Sequence, residues 1–207
     1  MRQQRTKGLR HRIFIAVELA ADLRERIDAL ERDLERAGAR LRWISPENLH
    51  FTVRFLGEIT PAQLAQVRLA TREAAAAAQP FRLTLHGIGA FPSLQRPQVV
   101  WVGVREGSEA LAALSSRLDA TLARHHFPPE QRPFVAHLTL ARVRDRRVWG
   151  DLVRAVSGFR EAAVGTQEVR FLAVMESHLR PGGARYTRVE EVPLGPALNS
   201  PGVDRKI

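Results

Sequence analysis

The sequence predicts an α+β fold made of two pseudo-symmetric lobes of antiparallel sheet with helices. Segments with strand-like alternation and segments with apolar residues at helical spacing occur in roughly equal measure. Hairpin-like pairs of strands are interrupted by helices, which favours α+β over a doubly wound parallel sheet. Each half of the chain has a helix followed at some distance by a strand containing His-x-Thr, and this echo indicates two related lobes.

The first half is predicted to hold two strands and two helices. In order, they are a strand at 12–19, a helix at 21–38, a strand around His50, and a helix that begins at Pro61 and runs to about Ala78. The second helix has the clearest start, because Thr60 suits the cap, proline suits the first turn, and Gln63 stands where a capping box requires it.

The second half is predicted to begin with a hairpin and to end with another. Its segments are strands at 81–90 and 98–104, a helix capped by Ser108, a strand around His137, a short helix at 147–157, and strands at 168–178 and 184–192. The third helix should bury a stripe of leucines, namely Leu111, Leu114, Leu118 and Leu122. The sequence "RPGGA" is typical of the turn that closes the last hairpin.

Composition places the chain among ordinary globular proteins. Apolar residues make up 44% and charged residues 26%, and no apolar run approaches the roughly 18 residues of a membrane span. The absence of cysteine excludes disulfides and thiolate chemistry and fits a cytoplasmic location. We expect a basic segment at 1–11, a single two-lobed domain at 12–194, a flexible tail at 195–207, and a monomer.

The formal net charge of +10 suggests a polyanionic partner. Thirty of the 32 basic residues are arginine, so a compositional bias could account for the same excess. Charge therefore nominates nucleic acid without establishing it.

Two short segments carry the chemistry: "LHFTVRFLG" at 49–57 and "AHLTLARV" at 136–143. Side chains at positions i and i+2 of a strand share one face, so His50 lies beside Thr52, and His137 lies beside Thr139. A lone histidine in an apolar strand is usually structural, but the repetition of the whole pattern favours function. Each lobe thus offers an imidazole and a hydroxyl on a rigid strand.

Cleavage of a phosphodiester needs this combination of groups. One imidazole accepts a proton from the attacking oxygen while the other protonates the departing oxygen on the opposite side of phosphorus. Hydroxyl groups and an arginine stabilise the charge on the non-bridging oxygens. No metal or other cofactor is expected, because both motifs place threonine where a metal site needs a carboxylate. The chain also lacks a G-x-S-x-G motif and a P-loop.

With these motifs in view, the chain resembles the two-histidine phosphoesterases, and among them the bacterial and archaeal 2′-5′ RNA ligase family, also called RNA 2′,3′-cyclic phosphodiesterases. The resemblance covers roughly residues 12–194 and includes "RIFIAVEL", "RWISPENLHFTVRFLGE", "VVWVGV", "RPFVAHLTLARV" and "ESHLRPGGARYTRVEEVPL" in the family's order. It implies two lobes whose sheets face each other across a cleft, with one motif on each side. It also implies opening of an RNA or nucleoside 2′,3′-cyclic phosphate to a 2′-phosphate.

The resemblance implies a role for each motif residue. His50 and His137 match the catalytic pair, with His50 as the acid at O3′ and His137 as the base on water, although the residues themselves allow the reverse. Thr52, Thr139 and Arg142 match the groups that bind phosphate.

Three further residues are candidates for contact with substrate. Arg54 could add positive charge at the cleft, although an arginine on a strand surface is more often solvated. Phe14 and Tyr186 could stack on a base, with core packing the better expectation for Phe14.

Two other functions use the same residues. A ligase that forms a 2′-5′ linkage would run the histidine pair in reverse, without ATP. A non-catalytic RNA-binding protein would use the cleft to dock phosphate, and its salt-sensitive binding would survive loss of either histidine.

Overall fold

The structure is a computed structural model and describes residues 9–181 and 183–195 of the 207-residue chain. Its strands are β1 (His11–Glu18), β2 (His50–Ile59), β3 (Phe81–Phe91), β4 (Val99–Glu106), β5 (His137–Arg142), β6 (Ala163–Val169), β7 (Phe171–Arg180) and β8 (Gly183–Pro193). Its α-helices are α1 (Ala21–Arg36), α2 (Pro61–Ala76), α3 (Ser108–Arg124) and α4 (Trp149–Ser157), with short 3-10 turns at Pro46–Asn48 and Arg146–Val148.

The strands form two antiparallel sheets, in the orders β2-β1-β7-β8 and β5-β4-β3-β6. Each sheet is built on a strand–helix–strand unit, β1-α1-β2 in one and β4-α3-β5 in the other, with the His-x-Thr strand at the edge. The predicted α+β fold with two pseudo-symmetric lobes is confirmed. The lobes are not consecutive along the chain, because β3 enters the second sheet and β7 and β8 return to the first.

Helix α2 starts as its sequence predicts. The hydroxyl of Thr60 accepts a hydrogen bond from the backbone N–H of Gln63, and the Gln63 side chain accepts one from the backbone N–H of Thr60. This reciprocal pair satisfies two backbone donors that the first helical turn leaves without partners. The capping box is confirmed.

Helix α3 starts differently from the prediction. Ser108 is its first residue rather than its cap, and Gly107 precedes it with a φ of +82°. A Cβ at Gly107 would lie 2.1 Å from the carbonyl oxygen of Arg82, so both conformation and space require glycine. The predicted leucine stripe of this helix is buried and is confirmed.

The sequence prediction missed strand β6. The predicted strand at 168–178 instead spans the end of β6 and most of β7, with Arg170 between them. Strand β6 is an edge strand with three consecutive polar residues, Thr166 to Glu168, and a glycine at Gly165, and both features weaken its strand signal. That glycine allows α1 to approach, because a Cβ there would lie 2.6 Å from Cδ2 of Leu23.

The buried face of each sheet contributes to one continuous apolar core that also takes in the helices. The opposite face of the first sheet carries a small separate cluster made by Phe14, Ala16, Ala173 and Met175. Within the described residues, no helix is long and apolar enough to cross a membrane. The predictions of a basic segment at 1–11 and a flexible tail at 195–207 fall largely on residues 1–8 and 196–207, outside the described ranges.

Candidate active site

The two His-x-Thr strands contact each other along their sheet edges. The chain just before β2 makes the connection, because Trp43 forms an antiparallel bridge with Ala141 of β5. The backbone N–H of Ile44 donates to the carbonyl of Leu140 at 2.7 Å. Motifs separated by more than eighty residues therefore meet where the two sheets adjoin.

Each histidine is oriented by its own backbone. Nδ1 of His50 lies 2.7 Å from the carbonyl oxygen of Asn48, and Nδ1 of His137 lies 2.7 Å from that of Val135. A carbonyl oxygen can only accept, so Nδ1 carries the proton in both rings. Nε2 is therefore the nitrogen that remains for proton transfer, and the two rings present it in the same tautomer.

The hydroxyl of Thr52 accompanies its histidine as the alternation predicts. Its Oγ1 lies 3.0 Å from Nε2 of His50, and the side chain is exposed. Thr139 is partly exposed on β5, opposite Trp101 of β4. Both hydroxyls thus lie on accessible positions of the motif strands.

Burial lowers the pKa of His50, and the positive charges of His137 and Arg142 lower it further, against the hydrogen bond to Asn48, which raises it. Burial likewise lowers the pKa of His137, with a further contribution from Arg142 and opposition from the bond to Val135. Each charged neighbour disfavours a second positive charge nearby. The charge of Arg142 therefore acts on both imidazoles, and that of His137 acts on His50.

Aromatic rings surround His50. Its ring centroid lies 4.8 Å from that of Phe14 and 5.2 Å from that of Tyr186, and the two aromatic rings lie 4.9 Å apart. Phe14 is 3% exposed, so it supports the histidine from below and has no open face for a base. Phe14 is thus packed in the interior, which was the better expectation for it, whereas Tyr186 is partly exposed and stays a candidate for stacking on a base.

His137 has an equivalent support from the second sheet. The rings of Phe91 and Trp101 lie 5.0 and 6.5 Å from its ring, measured between centroids. The indole of Trp101 lies against Gly89 of β3, where a Cβ would come within 2.3 Å of the ring. The absence of a side chain at Gly89 therefore lets the indole occupy its position beside the histidine.

Arg54 does not lie in the cleft, contrary to the sequence expectation. It is 6% exposed, with Nε 2.7 Å from Asp119 of α3, one terminal nitrogen 2.8 Å from Glu130, and the other donating to the carbonyl of Pro128. The cause is a register shift in β2 that leaves Val53 without a partner in β1. Such a bulge interrupts the alternation of faces, and the guanidinium anchors the loop before β5 instead.

Sequence reasoning did not identify Phe91, Trp101 or Asn48 as parts of this site. Lobe symmetry is a signal that could have found the ring pair beside His137, because Phe14 and Tyr186 were candidates for stacking on a base in the first lobe. Asn48 has a second function, since its side-chain amide donates to the carbonyl of Ala184 in β8 at 3.0 Å. That bond fixes the residue whose carbonyl holds His50.

The arrangement has the elements of general acid–base catalysis at phosphorus. Two imidazoles with lowered pKa values, two hydroxyls and a guanidinium share the junction of the sheets. Within residues 9–181 and 183–195, no group of three or more histidine or acidic side chains is arranged to hold a metal ion.

The model of the family described as LigT-like phosphoesterase matches the chain twice, at residues 17–101 and at residues 102–186. Each of the two matches contains one His-x-Thr motif. The family resemblance found in the sequence is confirmed.

Several curated relatives are named RNA 2′,3′-cyclic phosphodiesterase. The protein from Methanothermobacter thermautotrophicus is 33% identical over 179 residues, covering 86% of this chain and 96% of its own. The protein from Aquifex aeolicus is 35% identical over 185 residues, covering 88% and 95%. Among solved structures, E. coli LigT complexed with 3′-AMP superposes with a TM-score of 0.71 at 26% identity, covering 90% of this chain and 99% of its own.

Proposed function

This chain belongs to the LigT-like phosphoesterase family, and from that premise we propose that it hydrolyses the 2′,3′-cyclic phosphate of RNA or of a nucleoside to a 2′-phosphate. The observation that carries the proposal is the matched presentation of two imidazoles, each with Nδ1 bonded to the carbonyl two residues earlier. The relatives that are named for this activity support it over most of the chain.

The reaction transfers two protons while one bond forms and one breaks. Water attacks phosphorus opposite O3′ as Nε2 of His137 accepts its proton. The P–O3′ bond breaks, and O3′ receives the proton from Nε2 of His50. Water is thereby added across one ester bond, leaving a 2′-phosphate and a free 3′-hydroxyl. After the reaction His137 is protonated and His50 is neutral. Proton exchange with solvent restores the starting states.

Binding of the anionic substrate favours the protonated imidazole that the general acid requires. The free site disfavours a proton on either ring, because burial and neighbouring positive charge lower both pKa values. A bound phosphate places negative charge beside both rings and raises these pKa values. One imidazole can then be protonated, and the repulsion between the rings favours a single proton for the pair.

Thr52, Thr139 and Arg142 bind the non-bridging oxygens in this proposal. The exposed Thr52 hydroxyl lies within hydrogen-bond distance of Nε2 of His50, so a phosphate oxygen that it binds lies close to the acid. Arg142 acts on both imidazoles through its charge, which is the position from which it can neutralise a phosphate between them.

Hydrolysis is favoured over ligation because the motif positions are accessible to water. Thr52 is exposed, and Thr139 and both histidines are partly exposed. A monomeric state and a cytoplasmic location stay predictions of the sequence.

The experiment is an assay of the four nucleoside 2′,3′-cyclic phosphates in the presence of a chelator, with separation of 2′- and 3′-monophosphates. We expect the 2′-monophosphate as product. Formation of the 3′-monophosphate would show that O2′ departs and would overturn the mechanism. A parallel reaction with 5′-hydroxyl RNA measures ligation, and a ligated product that exceeds the hydrolysed one would favour the ligase.

A further inference from the structure

An open pocket of about 540 Å³ lies beyond the catalytic residues on the second lobe. Its lining consists of Pro92, Arg96, Gln98, Arg146 and Trp149. The volume falls within the range of roughly 300–1,000 Å³ that is typical of small-molecule sites. None of these residues belongs to the His-x-Thr motifs.

The pocket adjoins His137 through the backbone. Pro92 directly follows Phe91, whose ring centroid lies 5.0 Å from that of His137. Gln98 bridges the same region, because its N–H donates to the carbonyl of Phe91 and its carbonyl accepts from the N–H of Val143, both at 2.8 Å. Two residues of the pocket lining are therefore linked through the backbone to the ring beside His137 and to the residue that follows β5.

The pocket contains a stacking surface. The guanidinium carbon of Arg146 lies 5.6 Å from the ring centroid of Trp149, a cation–π distance. Trp149 packs partly against the apolar core, which fixes the indole in place. Bases of single-stranded RNA stack on such aromatic rings and on arginine planes.

The positive charge in and beside the pocket is not neutralised by the protein. Among the described residues, Arg96, Arg142 and Arg146 form no ion pair with an acidic side chain, and Arg96 and Arg146 are exposed. The adjacent Arg147 is different, because Asp145 binds it with several hydrogen bonds. Three unpaired arginines thus extend from the catalytic pair to the stacking surface, an arrangement suited to a phosphate backbone.

We infer that this pocket binds a nucleotide upstream of the cyclic phosphate in a single-stranded RNA 3′ end. The base stacks against Arg146 and Trp149, and Arg96 binds a backbone phosphate, while Arg142 stays at the cyclic phosphate between the histidines. The inference rests on the proposed function and specifies its substrate class, because only an oligoribonucleotide reaches the pocket while its terminal cyclic phosphate lies between the histidines.

The test compares two substrates with the same terminal nucleoside 2′,3′-cyclic phosphate, one a mononucleotide and one an unstructured oligoribonucleotide. In the wild type we expect a higher kcat/KM for the oligonucleotide. Trp149→Ala and Arg146→Ala should each reduce oligonucleotide kcat/KM by about 5- to 100-fold, the usual effect of losing one base stack. Mononucleotide kcat/KM should stay within about two-fold, because a mononucleotide bound between the histidines does not reach Arg146 or Trp149.

Two variants control for charge and folding. Arg147→Ala removes the same charge one residue away, from a side chain that Asp145 already neutralises, and should leave the substrate ratio unchanged. Trp149→Ala can lower the melting temperature, because Trp149 packs partly against the core. Arg146 is exposed, so Arg146→Ala tests the pocket without disturbing the fold. The inference is overturned if Arg146→Ala leaves the ratio unchanged or affects both substrates equally. If the wild type hydrolyses neither substrate, the proposed function fails instead.

Discussion

His50 and His137 hold their imidazole rings in the same way, each donating from Nδ1 to the backbone carbonyl two residues earlier at 2.7 Å. The bond is local to each strand, so each motif carries its own means of setting the tautomer. The two lobes can therefore present equivalent nitrogens to one phosphorus atom, although the neighbouring rings differ between them.

The first prediction concerns the titration of these rings. Because burial and positive neighbours lower both pKa values, the free enzyme should show both imidazoles titrating below 6.5, the ordinary histidine value. Arg142→Ala removes one positive charge and should raise both midpoints, whereas Arg142→Lys should not. NMR titration of the ring protons measures this. Midpoints at or above 6.5 in the wild type would contradict the electrostatic description of the site.

The lowered pKa values of His50 and His137 also determine the pH profile of kcat/KM. Activity should rise with pH as the base loses its proton, with a midpoint below 6.5, and should fall at higher pH as the acid loses its own. Binding of a phosphate product should move both histidine resonances towards the protonated form. A rate that rises continuously from pH 5 to 9 would argue against an acid with an imidazole pKa.

The second prediction concerns the threonines. Thr52→Val and Thr139→Val keep the shape of the side chain and remove the hydroxyl, so each should lower kcat/KM by about 10- to 100-fold, the effect of one hydrogen bond to a charged group. Thr52→Ser and Thr139→Ser keep the donor and serve as matched controls. If the valine and serine variants are equally active, the hydroxyls do not bind phosphate.

The third prediction separates a structural arginine from a catalytic one. Arg54→Ala leaves Asp119 and Glu130 without their buried partner, so we expect the free energy of unfolding to fall by about 2–4 kcal/mol. Arg124→Ala, which removes an exposed ion pair with Glu73, should cost far less, because solvent screens an exposed pair. Urea unfolding measures both. If Arg54→Ala is as stable as the wild type but has strongly reduced turnover, Arg54 acts on substrate and the structural role is wrong.

The fourth prediction concerns a buried carboxyl outside the site. Burial raises the pKa of Glu31 to about 8, with contributions from Asp28 and Glu35, and its Oε1 has no hydrogen-bond partner within the described chain. The folded state therefore binds this proton more tightly than the unfolded state. The stability it confers is complete below the unfolded pKa near 4.5 and is lost as pH rises towards 8.

Glu31→Gln should remove this dependence and be more stable than wild type at pH 9, by about 1–3 kcal/mol. The exposed Glu25→Gln in the same helix is the control and should follow the wild type. Chemical unfolding at pH 5 and pH 9 gives the comparison, and equal losses in wild type and Glu31→Gln would exclude Glu31 as the cause.

Local patterns predicted much of the fold because their causes are local. The capping box of α2 and the leucine stripe of α3 depend on residues a few positions apart, and both are confirmed. Strand β6 was missed because its partners, β3 and helix α1, lie far away in the sequence. Its own residues include a glycine and three consecutive polar side chains, so the strand is recognised only when its pairing with β3 and the packing of Leu23 against Gly165 are known.

The positions of site residues were predicted correctly where side chains alternate regularly between the two faces of a strand, and wrongly where that alternation is interrupted. His50 and Thr52 share a face as a regular strand requires, but the bulge at Val53 turned Arg54 into the interior. A bulge depends on the register of two strands, which a single sequence does not reveal. The rings beside His137 were missed for a related reason, since Phe91 and Trp101 come from two different strands of the second sheet.

The central claim is that two imidazoles act on one cyclic phosphate. The most direct measurement is hydrolysis of a nucleoside 2′,3′-cyclic phosphate by the wild type, His50→Ala, His137→Ala and the control His125→Ala, whose ring instead contacts Gln66. We predict that each motif variant loses about 10²- to 10⁴-fold in kcat with an unchanged melting temperature, while the control keeps wild-type turnover. Near-wild-type hydrolysis in either motif variant would contradict the account.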